Sequence, residues 1–303
     1  MGGADLNAYN LNHIQSPIVL QGSSHIAYRD PTVHYYAGVF RLYYTLVETE
    51  PDGQVYMYTA MSESRDLVNW SESRRLTPRD NGLNFSSPGN IIRHNDRWVM
   101  CLQTYPRPSG EKYGNASSRI WSMESMDLVH WTEPEPLLLK GEETPIEQLG
   151  RMIDPYLIES KDEPGKWWCF YKQNGVSLSY SYDLKHWTYY GNESAGENVC
   201  ILNEKDQYVM FHSPENGIGV MRSFDLKNWV HDEGILTFGQ QDWDWARGRI
   251  TAGFVLDCRF VKGIGKFLMF FHGTGPEDER TIFDTYACIG IAWSDDLVEW
   301  QWP

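Results

Sequence analysis

The hydrophobic positions of this chain fall in short runs, rich in β-branched and aromatic side chains, each closed by Gly, Asp, Asn or Pro. That spacing predicts strands joined by tight turns. Helical periodicity of any length is missing. The runs recur in a fixed order. A first strand reads "PTVHYY", "GNIIRH", "DPYLIES", "ENVCILN" or "GFVLDCRFV". A second, more hydrophobic one reads "FRLYYTL", "RWVMCLQ", "KWWCFYK", "QYVMFHS" or "KFLMFFH". A third leads into the heptapeptide Ser-x-Asp-Leu-x-x-Trp, which begins at Ser64, Ser125, Ser181, Ser223 and Ser294, and a fourth starts at its Trp.

Five such units predict an all-β fold, a five-bladed β-propeller of four-stranded antiparallel blades forming a single domain over residues 1–303. The last unit ends at "EWQWP", too short for a full outer strand. The N-terminal "SPIVLQG" (residues 16–22) is therefore expected to pair into the last blade and close the ring. The heptapeptide reads as structural. Asp66 and its counterparts can close Asx-type turns, while Leu67 and Trp70 pack between sheets.

Composition narrows the partners. A formal charge of −15 argues against phosphate backbones and anionic lipid, so neither nucleic acid nor membrane is expected. No apolar stretch approaches the roughly 20 residues of a membrane span. The five Cys are scattered through strand-like runs, which predicts buried free thiols rather than a disulfide framework or zinc site. The start "MGGADLN" shows no signal peptide; it leaves the compartment open, with a secreted or periplasmic one expected ahead of a cytoplasmic one.

Candidate chemistry lies where the repeats differ. The five innermost strands should open onto one end of the central channel. At that level blade 1 carries Asp30 ("YRDPTV"), blade 3 Asp154 ("MIDPYL") and blade 4 Glu197 ("AGENVC"). Blades 2 and 5 offer small residues. Carboxyl groups that converge in an aromatic pocket repel one another and lose solvation, which drives at least one pKa upward. The resulting pairing of a protonated donor with an ionised acceptor suits glycoside hydrolysis.

The order "RDP…IDP…GEN" within five blades resembles glycoside hydrolase family 43 and its five-bladed relatives, from Asp30 to Trp300. The resemblance implies that Asp30 is the general base, Asp154 a pKa-tuning and orienting residue, and Glu197 the general acid. It also implies an inverting outcome and a carbohydrate substrate, with arabinofuranosides and β-xylosides first. Relatives of the same fold use the first Asp as a nucleophile or pass the sugar to phosphate. A non-catalytic sugar-binding propeller is the alternative from another class; the presence of all three acids favours an enzyme. Asn198 and Val199 follow Glu197 where the family usually has Gly-Pro. Phe254 stands where it often has a metal-binding His, so no cofactor is expected and a channel calcium is disfavoured.

The ends of the second strands are expected to supply polar contacts to sugar hydroxyls: Gln103 and Tyr105, Gln173, His212 and His272. In "QQDWDWARGRITAGF", Trp243 and Trp245 are candidate stacking platforms and Arg249 a partner beside the acids. Phe85 is a candidate wall, and His25 a candidate at the mouth. The segment "GTGPEDERTIFDTY" lacks the Lys and the spacing of a phosphate loop, and no role is read from it.

Overall fold

The computed structural model describes residues 9–303. The start "MGGADLN" and the first eight positions of the expected domain lie outside the described residues. Five antiparallel sheets follow one another around a ring, each running outward from an inner strand. The inner strands are Ile26–Tyr36, the interrupted pair Phe85–Ser86 and Ile91–His94, then Ile153–Glu159, Glu197–Asn203 and Arg249–Asp257. Blades 1, 3 and 4 continue through three further strands in sequence order, as does blade 2 from its interrupted inner strand. The chain is thus an all-β five-bladed propeller with almost no helix; Ile146–Leu149 is the one α-helical turn among the described residues.

In blade 5 the outer strand is assembled from both ends of the chain. Ile18–Leu20 pairs with one end of Cys288–Ser294, and Trp300–Gln301 pairs with the other. The second strands are the most apolar because neighbouring sheets cover both their faces. Phe40, Tyr43, Tyr44, Phe170, Phe211, Phe270 and Phe271 on these strands are all fully buried. All five Cys are buried and free.

The heptapeptide explains why the blades repeat so closely. In the first copy Ser64 Oγ accepts the backbone N–H groups of Asp66 and Leu67, and Asp66 Oδ1 accepts those of Val68 and Asn69. Leu67 takes φ 66°, and the other four Leu fall between 60° and 69°. A left-handed non-glycine residue costs roughly 1–2 kcal/mol. Burying the Leu side chain returns about 1.5–3 kcal/mol, so burial wins and Gly is not required. The Trp indole then donates to the Leu carbonyl, as from Trp70 to Leu67 at 3.2 Å. Blade 2 departs from this: the Tyr43 hydroxyl takes the Leu128 carbonyl at 2.8 Å, and Trp131 Nε1 has no hydrogen-bond partner among the described residues.

Candidate active site

Four of the five inner strands carry a bulge at the same level, and the blade 2 strand breaks there. In blade 1 the pairing steps from Arg29↔Thr45 to Thr32↔Tyr43, so two residues oppose one. The same step occurs after Ile153, Glu197 and Thr251. The first bulged residue is left-handed each time: Asp30 (φ 49°), Asp154 (51°), Asn198 (51°) and Ala252 (54°). Ser87 (41°) holds the corresponding place where the blade 2 strand breaks. Asp and Asn tolerate this conformation; Ser and Ala hold it at some cost, of the kind found where a site over-determines the backbone.

These five residues ring the mouth of the channel. Together with Phe254 they line a narrow space of ≈ 30 Å³ below it. Glu197 is not a member of the ring. It precedes the bulge by one residue, at the position of Arg29, Ser86, Ile153 and Thr251. The three acids are therefore not at equivalent positions, as the aligned strand starts suggested. Asn198 is the blade 4 counterpart of Asp30 and Asp154. A one-residue step on a strand reverses the side chain's face, which turns Glu197 away from the channel.

A bulge leaves a buried N–H without a ladder partner, and such an orphan costs about 1–3 kcal/mol. Side chains from the preceding blade's second strand meet this need. The Asp30 N–H donates to His272 Nδ1 (3.0 Å), Ser87 N–H to Thr45 Oγ1 (2.7 Å), Asp154 N–H to Gln103 Oε1 (2.6 Å) and Ala252 N–H to Ser213 Oγ (2.7 Å). Within blade 4 itself, His212 Nδ1 accepts the N–H of Gly196, one residue upstream of Glu197 (2.9 Å). Only glycine fits there, because a Cβ on Gly196 would lie 1.9 Å from the Ser213 carbonyl oxygen. Gln103, His212 and His272 thus position backbone.

The carboxyl groups differ in surroundings. Asp30 accepts the Thr45 hydroxyl (2.9 Å) and faces the Asn198 amide (3.4 Å). Asp154 is buried and accepts the Ser87 hydroxyl (2.8 Å). Burial first, and then the charges of Glu197 and Asp30, push its pKa up to about 8. The folded chain therefore keeps a proton that the unfolded chain releases, and this group costs stability progressively as pH rises from about 4 to about 8. Asp154→Asn removes that cost. Its Tm should match that of the wild type near pH 4 and exceed it by several degrees at pH 8, on the order expected for a few kcal/mol. Calorimetry across that range checks this; a gap that does not change with pH would count against it.

A second layer of charge holds Glu197. Arg249 Nη2 donates to Glu197 Oε1 (2.9 Å), and its Nη1 reaches Glu279 (2.5 Å). Glu279 also accepts from Arg29 (2.5 Å) and from His272 Nε2 (3.4 Å). His272 is neutral here: burial, then Arg29, lowers its pKa, and Nδ1 must be free to accept the Asp30 N–H. A chain of contacts therefore runs from Asp30 through His272, Glu279 and Arg249 to Glu197. Glu279 belongs to the segment "GTGPEDERTIFDTY", whose importance the sequence did not reveal. The segment packs tightly: a Cβ on Gly248 would lie 1.9 Å from the Glu277 carbonyl oxygen. Its far end is tied to a blade 2 loop by the two-pronged Arg107–Asp284 pair (2.6 and 2.9 Å) and by the Tyr113–Phe283 edge contact at 5.0 Å.

The result is a cavity of ≈ 500 Å³ lined by Asp30, Asp154 and Glu197. Gln103, Tyr105, Arg249 and His272 line it as well. Glu197, Arg249, Glu279 and Arg280 also line a second cavity of ≈ 600 Å³, together with Lys172 and Asn216. The remaining candidates lie elsewhere. Phe85 is buried between sheets against Trp121, because the residue that reaches the cavity is its neighbour Ser86. Trp243 and Trp245 stack on each other (5.1 Å) and on Phe271 in the core between blades. Gln173 bonds the Leu149 and Arg151 carbonyls, His212 is buried under the Gly196 turn, and His25 is exposed outside the cavity. Arg29, Arg151, Phe283 and Asn198, which do line it, were not singled out by the sequence.

The fold recurs in solved structures of glycoside hydrolases. An α-L-arabinofuranosidase from Lactobacillus brevis superposes with a TM-score of 0.62 at 11% identity, covering 95% of each chain. An exo-1,5-α-L-arabinanase from a bovine ruminal metagenomic library gives 0.61 at 16%, covering 89% of this chain and 94% of that one. A family 117 glycoside hydrolase of the marine bacterium Zobellia galactanivorans gives 0.66 at 17%, covering 89% and 84%. At such identities the likeness is one of fold. No curated protein matches the sequence. Residues 19–186, more than half of the chain, match Glycosyl hydrolases family 43, and the chain belongs to that family. It is a glycoside hydrolase whose substrates are carbohydrates.

Proposed function

We propose that the protein is an exo-acting, inverting glycoside hydrolase in which Asp30 activates water and Glu197 protonates the leaving oxygen. The observation that carries this is the place of Glu197 on the partition between the two cavities. A glycosidic bond lying across that partition puts the terminal sugar beside Asp30 and Asp154 and the leaving group in the second cavity. The bridging oxygen then lies at Glu197. Asp154, protonated up to about pH 8, can donate to a sugar hydroxyl without adding charge beside Asp30. Every step in this reading is assigned to a side chain of the protein, and none is assigned to a metal.

The wall over blade 1 supports exo action. There the blade 2 and blade 5 loops are clamped together by Arg107–Asp284, which narrows that side for a polysaccharide. The resemblance, and the arabinanase and arabinofuranosidase names among the neighbours, put α-L-arabinofuranosides and β-xylosides first in a screen. Turnover should release monosaccharide from chain ends, and proton NMR should show the first-formed anomer inverted. Retention of configuration would instead make Asp30 a nucleophile.

A further inference from the structure

We propose that the glycan cleaved here carries an anionic group, a carboxylate or a sulfate ester, close to the scissile bond, and that Arg151 receives it. This rests on the hydrolase reading above. The chain carries a formal charge of −15, yet four arginines (Arg29, Arg151, Arg249 and Arg280) line its catalytic cavity. They face four acidic side chains, Asp30, Asp154, Glu197 and Glu279, of which Asp154 stays protonated to about pH 8. Arg29 and Arg249 are committed to Glu279 and Glu197, and Arg280 lies 3.4 Å from Asp278 at the rim. Among the described residues, Arg151 is the one cavity arginine with no carboxylate within 4 Å.

Arg151 is nevertheless held in place. Its Nε donates to the Gly114 carbonyl (3.1 Å), its own carbonyl accepts from Gln173 (3.0 Å), and its guanidinium lies 5.4 Å from the Tyr105 ring centre. Both terminal nitrogens are left without a protein partner among the described residues. It is near enough to Asp154 for its charge to act on that carboxyl. A pre-set planar fork with two free donors matches the paired oxygens of a carboxylate or sulfate. A neutral sugar would leave this cation without a counter-charge in a partly desolvated pocket. The acidic exterior makes the cavity the place where an anionic glycan meets positive charge.

The test uses pectic, glucuronoxylan and sulfated galactan oligosaccharides, each intact and after carboxyl reduction or desulfation. Sugar release and binding on an immobilised-glycan array are both measured, for the wild type and Arg151→Gln. For the wild type, the intact member of at least one pair should exceed its neutralised partner by about 30-fold, a ratio in the range of a charge-assisted hydrogen bond. That ratio should fall to near one in Arg151→Gln. Whether the carboxylated or the sulfated pair responds identifies the anion. Equal handling of intact and neutralised forms, or a ratio that survives Arg151→Gln, would overturn the proposal and leave the hydrolase standing. Release only with added inorganic phosphate, giving a sugar 1-phosphate, would move the anion to the attacking group and overturn both readings. Where no bond is cleaved, the array ratio alone decides Arg151.

Discussion

Asp30→Asn and Glu197→Gln should each lower kcat by about 10²–10⁴-fold on a glycoside with a poor leaving group, with Tm within a few degrees of the wild type. The two substitutions then separate on leaving-group chemistry. A sugar carrying an alkoxide leaving group needs a proton delivered, whereas 2,4-dinitrophenolate departs without one. Glu197→Gln should therefore recover most of its rate on the dinitrophenyl glycoside, and Asp30→Asn should not, because water activation is needed with either. The amide oxygen at position 197 can still accept the Arg249 N–H that now reaches Glu197 Oε1, so the arginine need not move. Equal defects of the Glu197 variant on both substrates would remove its assignment as the acid. Full activity of the Asp30 variant would remove the base.

The blade count was legible because its signal is local. Ser64, Asp66, Leu67 and Trp70 satisfy one another within seven residues, so five copies read as five turns whatever surrounds them. The acids were legible because they break a repeat. The one-residue offset of Glu197 was not, since it depends on where a bulge falls in the pairing with Tyr208–Ser213. Glu279 was invisible for another reason: its partner Arg29 is 250 positions away, and nothing in either segment announces the other. Trp243 and Trp245 show the opposite error. An aromatic pair beside arginines reads the same whether it faces a sugar or, as here, Phe271. His272 and Gln103 were placed at the right end of the right strands. What they bind first is the backbone of the next blade.

Glu279→Gln should be the most destabilising single substitution at the site. Glu279 is 5% exposed and joins two guanidinium groups, one of them on the buried Arg29. Burial raises its pKa, but Arg29, His272 and Arg249 together hold the carboxyl far below the usual range. Its folded-state pKa is thus depressed. The stabilisation is complete at neutral pH and is lost only in strong acid, as the pH falls through the folded-state value. A glutamine of the same shape removes the charge and turns two amide N–H donors toward groups that only donate. Breaking a buried ion pair in this way costs about 3–5 kcal/mol, or on the order of 10 °C in Tm for a domain of this size. Arg29 would keep the Phe283 carbonyl (3.1 Å) and the face of its ring (4.2 Å), neither of which neutralises it. Adding Arg29→Met to Glu279→Gln should then restore some of the lost stability, because the uncompensated charge is gone. A double variant no more stable than the single one would show that the cost lies in packing. Activity should stay low in both, since Arg249, which positions Glu197, has lost its anchor.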